Sequence, residues 1–326
     1  MPKVFVTRPL PDSGIQLLTS ALGEDSVVVA SRDHEISRED LLEQVSGIDA
    51  LLPILGDTVD ARVMDAAGPS LKIIANYAVG YNNIDVAAAT ERKIAVTNTP
   101  GVLTETTADL AWSLLMAAAR RIGESERYLR ADKWHAWGAQ LFLGVDVHGK
   151  TLGIFGMGRI GQAIARRARG FDMRVLYTDP VRLEPSLERE LNATFVDKPT
   201  LLAESDFVSI HCPLLPETTR AFGAPEFKAM KPAACIVNSS RGPVIDEAAL
   251  AAALKSGEIF AAGLDVYENE PEVHPDLLAC ENAVLAPHIG SASRETRAKM
   301  AEMAARNILA RLEGERPPNC VNPEVL

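Results

Sequence analysis

The sequence predicts an α/β protein of two doubly wound parallel-sheet domains with a cleft between them. Short Val- and Ile-rich runs alternate with helix-length segments from one end to the other. The alternation restarts at Lys150 after a long apolar segment, and a length of 326 residues suits two domains of roughly 100–200 residues each.

Taken in order, Lys3–Thr7, Val27–Ala30, Ala50–Ile54 and Leu71–Ala75 read as strands, with helical spacing over Asp12–Leu22, Arg38–Val45 and Asp60–Ala67 between them. Pro100-Gly101 punctuates the chain. The segment Leu103 to Arg121 is apolar almost all round and is expected to be a helix buried between two bodies. The second series has strands at Thr151–Phe155, Arg174–Thr178, Phe207–His211, Cys235–Asn238, Ala261–Asp265 and Val284–Ala286, with helices clearest at Arg159–Arg169 and Asp246–Ser256. A last helix, Ser293–Glu313, precedes a Pro-containing tail.

The 33 basic and 44 acidic residues leave a net charge of −11, which argues against a nucleic-acid backbone or an anionic membrane as main partner. The longest apolar stretch, Leu110 to Ala119, falls far short of the roughly 20 residues of a membrane helix. Polar residues return too early at the N-terminus for a signal peptide. Cys212, Cys235, Cys280 and Cys320 have no CxxC pairing or histidine at metal spacing, so they are expected to be reduced thiols in a cytoplasmic protein without a metal.

Gly156-Met157-Gly158-Arg159-Ile160-Gly161 follows one strand and opens a helix, and Asp179 ends the next strand. That context, more than the GxGxxG itself, makes the second domain a Rossmann-like dinucleotide site: the glycines allow a tight turn and close approach to pyrophosphate, and the helix N-terminus favours its charge. A carboxylate at Asp179 accepts bonds from a ribose diol and repels a 2′-phosphate, so NAD(H) is expected over NADP(H), although Arg159 and Arg182 lie near enough in sequence to soften that repulsion.

His34, His135, His148 and His274 stand in polar surroundings. His211 beside Cys212-Pro213, and His288 in Leu-Ala-Pro-His-Ile-Gly-Ser, both end strands, where such sheets bind ligands. Arg241 and Glu270 also follow strands. A guanidinium holds a carboxylate at two points and polarises a carbonyl, and a carboxylate beside imidazole favours the protonated ring. Arg241, Glu270 and His288 therefore form a candidate set for reducing a 2-keto acid, each being more often structural when taken alone.

Several stretches in their order carry a resemblance along nearly the whole chain: Asn-Tyr-Ala-Val-Gly-Tyr-Asn-Asn-Ile-Asp (76–85), Thr-Asn-Thr-Pro-Gly-Val-Leu-Thr (97–104), the glycine motif (156–161), Ser-Arg-Gly-Pro-Val-Ile-Asp (240–246), Gly-Leu-Asp-Val-Tyr-Glu-Asn-Glu-Pro (263–271) and Ala-Pro-His-Ile-Gly-Ser (286–291). The chain resembles the D-isomer-specific 2-hydroxyacid dehydrogenases, most closely the glyoxylate reductase/hydroxypyruvate reductase branch. The resemblance implies a catalytic triad of Arg241, Glu270 and His288, with His288 the acid/base. It implies a cofactor set of Gly156, Gly158, Arg159, Ile160, Gly161, Asp179, Cys212, Pro213, Ser240, Asp265 and Gly290, Asp265 facing the nicotinamide end. Val79 and Gly80 amides, with Arg241 and His288, would take the substrate, Leu55 would lie against it, and a partner subunit's tryptophan would close the pocket. Trp137 is the candidate and Trp134 the alternative, ordinary interface anchors being an equally good account of both.

The resemblance further implies a discontinuous substrate-binding domain over residues 1–100 and 288–326, an NAD-binding domain over 101–287, and a homodimer through the latter. Asn82 stands where the family usually has Asp, a position read as structural, and Asp179 stands where NADP-using relatives tend to carry a basic or small polar residue. Related phosphite dehydrogenases tend to have Lys where this chain has Val79, and formate dehydrogenases typically have Gln at the place of Glu270. NAD(H)-sensing corepressors usually carry long tails, whereas this chain stops at Leu326. The expected reaction is NADH-dependent reduction of glyoxylate, and also hydroxypyruvate, with phosphite oxidation or an NAD(H)-sensing role as the alternatives.

Overall fold

A computed structural model describes residues 1–31, 34 and 36–326. The chain divides into two compact units, Met1–Leu103 with Ser291–Leu326, and Thr104–Gly290. Each is a parallel sheet with helices on both faces.

The first unit holds β1 (Val4–Val6), β2 (Val27–Val29), β3 (Ala50–Leu52), β4 (Ile73–Ala75) and β5 (Ala95–Thr97), in the order β2-β1-β3-β4-β5. Alternation along each strand divides its side chains between two cores. Phe5, Leu51, Ile74 and Val96 meet Leu41, Val63, Met64 and Ala89 on one face. Val4, Val6, Leu52 and Ile73 meet Leu18, Met300, Ala301 and Ile308 on the other. Helix starts follow their capping residues: Ser37, Asp60, Asp85 and Ser293 each accept a backbone N–H from the first turn of the helix that follows.

The second unit holds β6 (Thr151–Phe155), β7 (Arg174–Thr178), β8 (Ala193–Phe195), β9 (Phe207–Ile210), β10 (Cys235–Asn238), β11 (Ala261–Leu264) and β12 (Ala283–Leu285). Their order, β12-β11-β10-β9-β6-β7-β8, is the doubly wound dinucleotide arrangement with one added strand. Its strand order reverses between β6 and β9, where such sheets bind ligands beyond the strand C-termini.

The sequence reading missed β5, β8 and the helix Val86–Glu91. β5 (Ala-Val-Thr) and β8 (Ala-Thr-Phe) hold alanine and threonine in place of a Val- or Ile-rich run, and the helix has only six residues. The helix Thr104–Ala119 is not apolar almost all round. Ala108, Ala111, Leu115 and Ala118 are buried in the core that also takes in Val237, Ala261 and the helix Arg159–Ala168, whereas Leu110, Trp112 and Met116 are only partly buried and Glu105, Asp109 and Ser113 are exposed. It is a sheet-covering helix of the second unit, its small residues at helical spacing permitting close contact with the strands. No helix among the described residues is long and apolar enough to cross a membrane.

Candidate active site

The glycine turn after β6 divides its work among three residues. Gly156 has φ +98°, and a Cβ there would stand 2.7 Å from the Cys212 nitrogen at the end of β9, so the turn demands glycine. A Cβ on Gly158 would meet nothing within 4 Å, which leaves its face open at the start of the helix Arg159–Ala168. A Cβ on Gly161 would strike the Gly156 carbonyl oxygen at 2.2 Å, so this glycine lets helix and strand close up. These are the roles a dinucleotide turn requires, and the open face at a helix N-terminus suits a pyrophosphate. Arg159 is exposed there and Ile160 half-buried. Asp179, just after β7, accepts Met157 N–H (2.7 Å) and Val181 N–H (2.9 Å). Its carboxylate thus braces the turn while retaining lone pairs for a diol.

Cys212 is buried, and burial pushes its thiol up to about 11; Pro213 is exposed. His211 and His288, both strand-end histidines, separate by environment. Burial pushes the His211 imidazole down to about 3, its Nε2 lies 2.7 Å from Ser209 Oγ, and its enclosed Nδ1 has no partner among the described residues. A ring so placed stays neutral at working pH and delivers no proton. His288 instead lies half-buried, its Nδ1 2.6 Å from Glu270 Oε2.

Neighbouring loops hold this pair. Glu270 Oε1 accepts Tyr267 N–H at 3.0 Å, and Tyr267 donates its hydroxyl to Ala286 O at 2.9 Å. Burial pushes the Glu270 carboxyl up, but the His288 bond and charge, the Tyr267 amide and the Arg241 charge outweigh it and hold the group below its ordinary range. His288 has φ +52°, a left-handed backbone uncommon for a side-chain-bearing residue. Asp265 stabilises that bend through Ile289 N–H (2.7 Å) and buried Gly290 N–H (2.8 Å). Both of its oxygens serve this loop.

Arg241 follows β10 and, with half-buried Ser240, sits in a turn closed by Asn238. The Asn238 amide donates to Arg241 O (2.9 Å), while its oxygen accepts Ser240 N–H (3.0 Å) and Oγ–H (2.9 Å). Burial lowers the Arg241 pKa, and the charge of Glu270 opposes that. The Arg241 and Glu270 loops interlock at Gly242, where a Cβ would stand 1.8 Å from the Tyr267 carbonyl carbon. Arg241, Glu270 and His288 are thus brought together within one unit. Asn238, Gly242 and Tyr267 escaped the sequence reading, although an asparagine ending a strand before Ser-Ser-Arg-Gly is a recognisable turn signal.

The remaining predicted residues fall elsewhere. Leu55, Val79 and Gly80 belong to the first unit and are half-buried at the ends of β3 and β4. The carbonyl oxygens of Val79 and Gly80 accept from Asn98 and Asn76, each at 2.8 Å, whereas their amides donate to no group among the described residues. Asp57 folds the Leu55 loop by accepting Ile54 N–H (2.9 Å) beside buried Arg8. Trp137 is 82% exposed and Trp134 54%, on a segment from Ala131 to Leu141 whose residues are all exposed.

Residues 112–290 match the family profile described as D-isomer specific 2-hydroxyacid dehydrogenase, NAD binding domain. A glyoxylate reductase of Korarchaeum cryptofilum is 53% identical over all of this chain and 97% of its own length. The chain belongs to the D-isomer-specific 2-hydroxyacid dehydrogenase family. Among solved structures of similar proteins, one from Thermus thermophilus is 46% identical with a TM-score of 0.90, over 98% of this chain and 99% of that one. The NADPH-dependent glyoxylate/hydroxypyruvate reductase of Sinorhizobium meliloti is 32% identical with a TM-score of 0.84, over 99% of this chain and 98% of that one. Within the 2-hydroxyacid dehydrogenase family, then, an NADPH-dependent protein shares this scaffold.

Proposed function

We propose that this chain reduces glyoxylate, and also hydroxypyruvate, to glycolate and D-glycerate, with NADH as reductant and His288 as the acid. The observation that carries the reading is the 2.6 Å contact of His288 Nδ1 with an ionised Glu270 that also feels the charge of Arg241. Relatives named glyoxylate reductase at about half identity support the substrate class. NADH, when bound at the glycine turn, would supply the hydride for the carbonyl carbon. His288, oriented by Glu270, gives its proton to the carbonyl oxygen, and the Arg241 guanidinium stabilises the developing alkoxide. Arg241 also holds the substrate carboxylate, a task shared with the free amides of Val79 and Gly80. Leu55 lies against the substrate.

On this reading, Met1–Leu103 with Ser291–Leu326 bind substrate and Thr104–Gly290 bind the cofactor, boundaries three residues beyond those expected from the sequence. Cys212, Pro213, Ser240, Asp265 and Gly290 line the nicotinamide half, and Arg159 and Ile160 the pyrophosphate. The exposed apolar residues Ile122, Leu129, Trp137 and Leu143 are the surface of a homodimer formed by the cofactor-binding part, with Trp137 closing the partner's pocket. Trp137→Ala should therefore raise KM for glyoxylate in a still dimeric enzyme; an unchanged KM, followed with sedimentation velocity, refutes the pocket role. The four free thiols suit a cytoplasmic protein.

The direct test follows NADH oxidation at 340 nm with glyoxylate, hydroxypyruvate and pyruvate in parallel, then with NADPH. Fast glyoxylate turnover with NADH, and kcat/KM at least about tenfold lower with NADPH, is expected from charge repulsion at Asp179. Equal efficiency with NADPH overturns the cofactor assignment alone. No turnover of any keto acid despite NADH binding overturns the reaction.

A further inference from the structure

The loop after β7 presents two charges of opposite sign, Asp179 and Arg182, and an NADP 2′-phosphate would be repelled by the first and held by the second. Arg182 is already committed. Its Nε lies 2.9 Å from Glu188 Oε1 and its Nη2 3.0 Å from Oε2, a two-point ion pair to the helix Pro185–Leu191. Two further contacts fix this geometry. The buried Tyr177 donates its hydroxyl to Glu188 Oε1 at 2.7 Å while accepting Leu183 N–H at 2.9 Å, and the guanidinium stands over the Phe195 ring, 5.7 Å from its centre. Glu188 is only 11% exposed in its side chain, so it is an anchored partner, whereas Arg182 at 62% faces solvent and is within reach of a ligand. Asp179 meanwhile takes backbone amides, and its carboxylate forms no ion pair with Arg182.

We infer that Glu188 is a cofactor-selectivity residue: by holding the Arg182 guanidinium at two points, it withholds from a 2′-phosphate the nearest cation in the loop after β7. The inference rests on the NADH preference proposed above and adds a second lock to it. Asp179 repels the phosphate, and Glu188 keeps the compensating charge engaged elsewhere. An ordinary structural ion pair would act on both cofactors alike, or on neither.

The test measures kcat/KM with NADH and with NADPH at saturating glyoxylate for wild type, Glu188→Gln, Asp179→Ser, the double variant, and the double variant with Arg182→Ala. Glutamine retains an acceptor for Tyr177 but no charge for Arg182, and Glu188→Ala serves as the second substitution if that variant is unstable. Glu188→Gln should raise the NADPH/NADH ratio by about five- to tenfold in the Asp179→Ser background, within the range of one typical net hydrogen bond. Efficiency with NADH should stay that of Asp179→Ser, and Arg182→Ala should erase the gain. A ratio unmoved by both Glu188 substitutions, or a gain that survives Arg182→Ala, overturns the inference while leaving the NADH preference intact. A wild type that uses NADPH as well as NADH overturns the preference itself, and the inference falls with it.

Discussion

Replacing His288 by Ala should lower kcat with glyoxylate by about a hundred- to ten-thousandfold, the range of general acid catalysis, while NADH binding followed by fluorescence stays near wild type. His288 is tied to Glu270 and lies in a bend held by Asp265 that shares no hydrogen bond with the glycine turn among the described residues, so on the proposed reading its loss removes a proton donor while the glycine turn is left as it is. Wild-type turnover by His288→Ala would refute the role. Glu270→Gln is the companion experiment. Burial pushes Glu270 up, but the bond and charge of His288 hold it below its ordinary range, so it remains ionised through mildly acidic pH. Its neutralisation should lower kcat with glyoxylate by about ten- to a hundredfold, the range of one charge-assisted hydrogen bond, because the His288 ring loses the charged acceptor that orients it. Stability changes with pH in a fixed direction: a depressed carboxyl stabilises the fold above its unfolded value, near 4.5, and that contribution fades as pH falls through the folded value. A Glu270→Gln enzyme with wild-type kcat would remove Glu270 from the mechanism.

The second large effect is expected at a residue that touches no substrate. In Gly242→Ala the new methyl group would stand 1.8 Å from Tyr267 C and 1.9 Å from Tyr267 O, backbone atoms that yield only if the loop moves. Overpacking of this kind costs about 1–3 kcal/mol, occasionally more. A lowered Tm is expected together with a kcat loss of about a hundredfold, because the loops of Arg241 and Glu270 must part and misplaced catalytic groups lose rate steeply. Calorimetry and steady-state kinetics on the same preparation check both. A variant with wild-type Tm and kcat would mean that the two loops are not held in contact.

The chemistry of this protein was legible because it concentrates in short local signals. Gly156, Gly158 and Gly161 occupy a strand-to-helix turn that any doubly wound sheet would aim at a ligand, and Arg241, Glu270 and His288 each follow a strand. The parallel sheets were legible for the same reason, since buried Val and Ile runs repeat between helical stretches. Where alanine and threonine replace such a run, as in Ala-Val-Thr of β5 and Ala-Thr-Phe of β8, the sequence carries no strand signal. The helix Thr104–Ala119 misled because composition alone does not show which of its apolar residues face a sheet.

By itself the sequence determined the fold class and the dinucleotide turn, and it singled out Arg241, Glu270 and His288 as candidates, because backbone conformation and side-chain chemistry are local properties. Only the tertiary structure decided between the two strand-end histidines. Burial leaves His211 neutral, whereas His288 meets a carboxylate from a loop 18 residues away in sequence at 2.6 Å, the partner a general acid requires. It also decided that Arg182 belongs to Glu188, that Asp265 serves the His288 loop, and that Gly242 is where two loops meet. These are relations between segments distant in sequence or turned toward one another by packing. Desolvation and charge depend on what folding brings near, and no residue carries that information alone.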